Sequence, residues 1–98
     1  MKNTEKKILE KAKIILKDLQ GEFFNEKNIE KINFSAEKEI TVPKNMKLAL
    51  WTIVINEPIF DSTIFLCISD EDAEPLYIRS KHKTSEIIKN SDGIYIRK

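Results

Sequence analysis

Leu48-Ala49-Leu50-Trp51-Thr52-Ile53-Val54-Ile55, followed by Thr63-Ile64-Phe65-Leu66-Cys67-Ile68 and then Leu76-Tyr77-Ile78, is the stretch that decides the fold. All three runs are dense in β-branched and aromatic residues, and Asn, Glu, Pro and Asp bound them, so they read as strands. The links between them are too short for a parallel crossover, so consecutive strands run antiparallel as a meander. Along the first run Ala49, Trp51, Ile53 and Ile55 share one face and Leu48, Leu50, Thr52 and Val54 the other. Both faces are largely apolar, whereas a strand with one wet face alternates apolar with polar. This strand is therefore expected to be central and covered twice, either by a helix on each face or by a helix and a partner.

Upstream, Thr4 stands as an N-cap before Ile8, Leu9, Ala12, Ile15, Leu16 and Leu19, which recur at helical spacing. Gly21 is a stop signal, and the spacing predicts a helix over 4–20 whose stripe covers one sheet face. Its lysines (Lys6, Lys7, Lys11, Lys13, Lys17) lie mostly off that stripe. A basic helix of this kind also suits a membrane surface or nucleic acid, but the stripe is needed for the core and no aromatic is interleaved with the lysines. Phe23-Phe24 should tuck under the helix end. Ile29–Phe34 reads as a weak strand, and Lys38–Val42, with Ile40 and Val42 inward, as a second one ended by Pro43.

In the link Glu57-Pro58-Ile59-Phe60-Asp61-Ser62, Ile59 and Phe60 either fold back over the sheet edge or stand out as an apolar anchor. Ser69–Glu74 is the tight turn of the next hairpin, and Pro75 opens the strand after it. Thr84 or Ser85 is expected to cap a short helix over Glu86–Asn90, and Ile94-Tyr95-Ile96 is a last strand after the Ser91-Asp92-Gly93 turn.

The 98 residues suffice for one α+β domain spanning 1–98: an N-terminal helix on an antiparallel meander of four to six strands, with a short C-terminal helix. The lone cysteine, Cys67, excludes an internal disulfide framework and suits a reducing compartment. No apolar run is long enough to span a membrane and no apolar signal core follows the N-terminus, so a cytoplasmic protein is expected. Two glycines, Gly21 and Gly93, cannot build a phosphate-cradling loop.

Net charge is +1, but unevenly spread: Glu57, Asp61, Asp70, Glu71, Asp72 and Glu74 come with no intervening base, then Arg79, Lys81 and Lys83 follow. Such segregation bears on partners rather than on fold. Asp70–Glu74 fails as a calcium loop, because the sixth and twelfth positions, where glycine and glutamate are required, hold Pro75 and Lys81. The stretch is either the solvated tip of a hairpin or an acidic recognition loop. Cys67 and His82 could act together only in hydrogen-bond contact, and a thiol set in an apolar strand stays protonated. Glu57 and Asp61 lack a pocket that would split their pKa values. One histidine and one cysteine make a poor zinc set. Arg79–Lys83 offers phosphate contacts, but the acids just before it weigh against a nucleic-acid surface. No cofactor or metal is expected.

The order from Ala49 to Arg79 is a strand bearing Trp, a turn, a strand ending in an acidic hairpin, and a strand. Behind a leading helix, this order resembles small bacterial cystatin-like proteins, including toxin-neutralising immunity proteins. The resemblance covers about half the chain. Ala73 stands where such domains carry glycine, and Ile29–Val42 and the expected C-terminal helix fall outside it. It implies a fold and a non-enzymatic role, and no functional residue is carried over from it.

The leading expectation is thus a non-catalytic protein-binding module, with an immunity-type inhibitor of a bacterial toxin as its most concrete form. Asp70, Glu71, Asp72 and Glu74 would face a basic toxin domain, with Ile59 and Phe60 as the apolar anchor. A ligand binder or enzyme would instead need a groove between helix and sheet, lined by Trp51, Tyr77 or Tyr95 over a carboxylate. A homodimer through a sheet face or edge strand is the third reading.

Overall fold

A computed structural model of the chain describes residues 2–57 and 62–98. Helix α1 spans Glu5–Gln20. The Thr4 hydroxyl accepts the Lys7 N–H at 3.1 Å, and at the other end the N–H of Gly21 (φ +59°) donates to the Lys17 carbonyl. Ile8, Ala12, Ile15 and Leu16 are fully buried on the stripe the spacing predicts, with Leu19 packed beside them. Two single 3-10 turns, Gly21–Phe23 and Glu26–Asn28, lead into the sheet. Phe24 packs on the core, whereas Phe23 is 72% exposed and does not tuck under the helix.

The strands are β1 Ile29–Ile40, β2 Met46–Glu57, β3 Ser62–Ser69, β4 Pro75–Arg79, β5 Thr84–Lys89 and β6 Tyr95–Arg97, in the spatial order β1-β2-β3-β4-β5-β6. Every neighbouring pair is antiparallel, so the meander runs through the whole sheet.

Two elements differ from expectation. The weak strand at 29–34 and the strand at 38–42 are one continuous strand, β1. A register shift between Ser35 and Lys38 breaks its alternation, which is why the two halves read separately. It ends at Ile40, leaving Thr41 and Val42 outside. The expected short C-terminal helix over Glu86–Asn90 is instead strand β5. Pairing decides this: β5 bonds β4 through Tyr77↔Glu86 and Arg79↔Thr84, and bonds β6 through Ile88↔Ile96. A strand sends Ile87 to the helix side and Ile88 to the other face, where a helix turn would have kept both on one side. The capping residues Thr84 and Ser85 that suggested a helix serve as ordinary strand residues here.

The main core lies between α1 and one sheet face, where Trp51, Ile53, Ile55, Ile64, Leu66, Ile68, Ile78, Ile87 and Tyr95 meet the helix stripe. Phe34 stacks on Trp51 at 4.9 Å between ring centres, tilted by 52°. α1 is the only α-helix among the described residues, so the opposite face has no helix over it. There Ile40, Leu50 and Cys67 are buried beneath Leu48, Leu76 and Tyr77, sheltered by the sheet's own side chains.

Candidate functional site

The β3–β4 hairpin is where the sequence places an acidic surface. The turn is closed by the Ser69 N–H bonded to the Glu74 carbonyl and the Ala73 N–H bonded to the Ser69 carbonyl, each at 2.9 Å. The Ser69 hydroxyl accepts the Glu71 N–H, and Asp72 Oδ1 accepts the Glu74 N–H at 3.0 Å. Ala73 sits at φ +59°, in the left-handed region that glycine favours.

The four acids of this turn do not form one patch. Asp70 points inward and is 2% exposed. Its Oδ1 accepts Trp51 Nε1–H at 2.8 Å and the Asn3 N–H at 3.0 Å, and Oδ2 accepts the Lys2 N–H at 2.6 Å. Asn3 Nδ2 donates back to the Asp70 carbonyl at 2.7 Å, and the Asp70 N–H bonds the Ala49 carbonyl. Burial pushes the Asp70 carboxyl up, but the donors from Trp51, Lys2 and Asn3 outweigh it and hold it below its ordinary value. Asp70 therefore clamps the segment before α1 to the sheet.

Glu71 is exposed and pairs with Lys2 Nζ at 2.8 Å. Glu74 is half-buried and accepts the Tyr95 hydroxyl at 2.7 Å, with Lys11 and Lys89 each 3.7 Å away. Those two lysines also lie over the Tyr95 ring, at 5.2 and 4.9 Å from its centre. Burial and then the Glu74 contact raise the Tyr95 hydroxyl above its ordinary value. Asp72 is exposed, and no cation pairs with it among the described residues. Much of the hairpin's charge is thus matched by lysines of α1, of β5 and of the segment before α1. Ile59 and Phe60, the expected anchor, lie with Asp61 outside the described residues.

Among the described residues the groove lining and the Cys67–His82 pair stay apart, and Asp61, which the sequence paired with Glu57, lies outside them. Trp51 faces α1 and Tyr77 the opposite sheet face, so no single pocket gathers both. Cys67 is buried beside Thr52, its Sγ 4.0 Å from Oγ1, and burial pushes the thiol up. His82 is exposed in the turn between β4 and β5. Among the described residues, no group of three or more His, Cys, Asp or Glu side chains could hold a metal ion. No helix among them is long and apolar enough to cross a membrane.

The surface that stands out is the sheet face away from α1. Cross-strand partners share a face, so the register lays out two rows. One runs Lys31–Val54–Phe65–Arg79–Thr84 and the next Asn33–Thr52–Cys67–Tyr77–Glu86. Phe65 is 37% exposed, and Ile88 and Ile96, paired with each other on the same side, are exposed by similar fractions. Lys38 and Arg79 lie close enough to Cys67 for their charges to favour its thiolate, which sets both cations around this face. Its acid, Glu86, is 4.0 Å from Lys98. Lys31 and Arg79 flank Val54 and Phe65 three strand spacings apart, about 14 Å. The face thus has a basic rim around Val54 and Phe65, and an outlying apolar pair, Ile88 and Ile96, on β5 and β6. Sequence reasoning saw that β2 had a second apolar face; it missed the basic rim because Lys31, Lys38 and Arg79 are dispersed along the chain and only the register gathers them.

No known protein family, curated protein or solved structure matches the chain.

Proposed function

We propose that the protein is a non-catalytic binding module that docks another protein on the helix-free face of its sheet. The observation that supports this is the half-exposed Phe65 between Lys31 and Arg79 on a face without a helix, with the exposed pair Ile88 and Ile96 farther out on β5 and β6 of the same face. Exposed apolar surface rimmed by charge is characteristic of interaction sites. The rim commits the partner's chemistry: a protein surface offering an apolar knob between carboxylates about 14 Å apart, to meet Lys31 and Arg79. The most concrete form remains an immunity-type inhibitor, a chain that neutralises a bacterial toxin by occupying it. The acidic hairpin supports a basic toxin less well than the sequence suggests, since Asp70 is turned inward and Glu71 and Glu74 are paired with lysines.

The test is to express the product of the adjacent gene, form the complex and titrate it by calorimetry. Phe65→Asp should weaken binding by a hundredfold or more, and Lys31→Glu with Arg79→Glu by tenfold or more, with far-UV circular dichroism unchanged. Glu71→Lys with Asp72→Lys should leave affinity nearly unchanged. Wild-type affinity in both sheet-face variants would overturn this reading. Light scattering on the pure chain separates it from a homodimer joined through the same face.

A further inference from the structure

A second feature lies on the helix side of the sheet, and it is independent of the docking face. Glu57 of β2, Ile64 of β3, Ile78 of β4, Ser85 of β5 and Arg97 of β6 line a cavity of about 250 Å³, with Lys83 reaching it from the turn before β5. Its floor is apolar, since Ile64 and Ile78 are both 3% exposed. Ser85 is 6% exposed, and its hydroxyl has no hydrogen-bond partner among the described residues. No fully enclosed side-chain oxygen or nitrogen lacks a partner there, so this hydroxyl must open into the cavity. Lys83 and Arg97 form no ion pair among the described residues, whereas Glu57 accepts from the Ser62 hydroxyl at 3.4 Å. Two uncommitted cations, a hydroxyl with a free O–H and a greasy floor thus converge on one recess.

We infer that this cavity binds a singly charged carboxylate carrying a small branched aliphatic body. Lys83 and Arg97 hold the carboxylate, the planar guanidinium matching its two oxygens, and Ser85 O–H donates to one of them. Ile64 and Ile78 receive the hydrocarbon. Glu57 adds one negative charge to the wall, which leaves a net +1 with the two cations and selects against a dianion such as phosphate. The volume is below that of drug-sized pockets, about 300 Å³ and upward, so the ligand is small. Such a carboxylate occurs in a free short-chain acid and in the last residue of a peptide.

The experiment is a ¹H–¹⁵N correlation titration of the full chain with isovalerate, N-acetyl-leucine, leucinamide and inorganic phosphate. Isovalerate or N-acetyl-leucine should shift the Ser85 and Ile78 amides saturably, and leucinamide should not. Tighter binding of N-acetyl-leucine assigns the site to a chain terminus, and tighter isovalerate to a free acid. Lys83→Gln with Arg97→Gln should weaken the better ligand at least tenfold. Ser85→Ala, a smaller change, should weaken it several-fold. The inference is overturned by phosphate saturating the same amides as tightly, by no saturable shift with either carboxylate, or by both variants titrating like the wild type.

Discussion

Asp70→Ala should be among the most costly single substitutions outside the apolar core, and the reason can be worked from its contacts. The carboxylate is 2% exposed and accepts three N–H donors, from Trp51, Asn3 and Lys2. Bonds to a charged acceptor contribute about 1.5–3 kcal/mol each, and a buried donor left without a partner costs about 1–3 kcal/mol. The Lys2 amide precedes the helix and can turn to water, so it adds little. Trp51 cannot, because its ring is 3% exposed between α1 and the sheet. Together these place Asp70→Ala at about 3–4 kcal/mol, which is large against the stability of a small domain.

Trp51→Phe removes the indole donor and should cost about 2 kcal/mol. In Trp51→Phe with Asp70→Ala the orphaned donor is gone, so the pair should cost less than the sum, with a coupling of about 1.5–2 kcal/mol. Urea unfolding followed by far-UV circular dichroism measures all four corners, since Trp51 is the sole tryptophan and fluorescence fails for two of them. Acid supplies a second arm. The folded Asp70 carboxyl lies below its unfolded value, so its contribution is complete above that unfolded value and disappears as pH falls through the folded one. The gap between wild type and Asp70→Asn should therefore shrink below about pH 4. A coupling under about 0.5 kcal/mol, or a gap that widens in acid, would refute the clamp.

Three further outcomes are expected. Ala73→Gly should stabilise by about 0.5–1 kcal/mol, because φ +59° strains alanine and not glycine, and the small packing loss only partly offsets this; a thermal melt reads the sign. Tyr95→Phe should cost about 1 kcal/mol by removing the 2.7 Å bond to Glu74, and Glu74→Gln should cost no more in the Tyr95→Phe background than the loss of two surface ion pairs, which denaturant titration of the double variant checks. Cys67 should resist a thiol reagent at pH 8 in the native protein and react within minutes in 6 M guanidinium, because burial holds the thiol protonated.

What the chain announced in advance was its middle. β2, β3 and β4 are legible because their apolar alternation, Pro75 and the short links are all local signals. β5 was not, since Thr84-Ser85-Glu86 imitates a helix start and only its pairing with β4 and β6 settles the matter. For the hairpin acids, composition suggested a single surface where packing makes separate fates. Register held a usable clue: Trp51 pairs with Ile68, so Asp70, two residues on and just past the end of β3, falls within reach of the indole. The basic rim and the cavity around Ser85 are assembled from two and five strands respectively, and no window of sequence contains either.

Each strand here bonds only to the strands before and after it in the chain. The sheet can therefore zip up from hairpin closures that span few residues, while the segment ahead of α1 reaches Asp70 across 67 and 68 positions. That places most of the ring-closing entropy in a single event, the arrival of the helix over a ribbon already woven. A variant that loosens the Asp70 latch should then chiefly quicken unfolding and leave the weaving rate almost untouched.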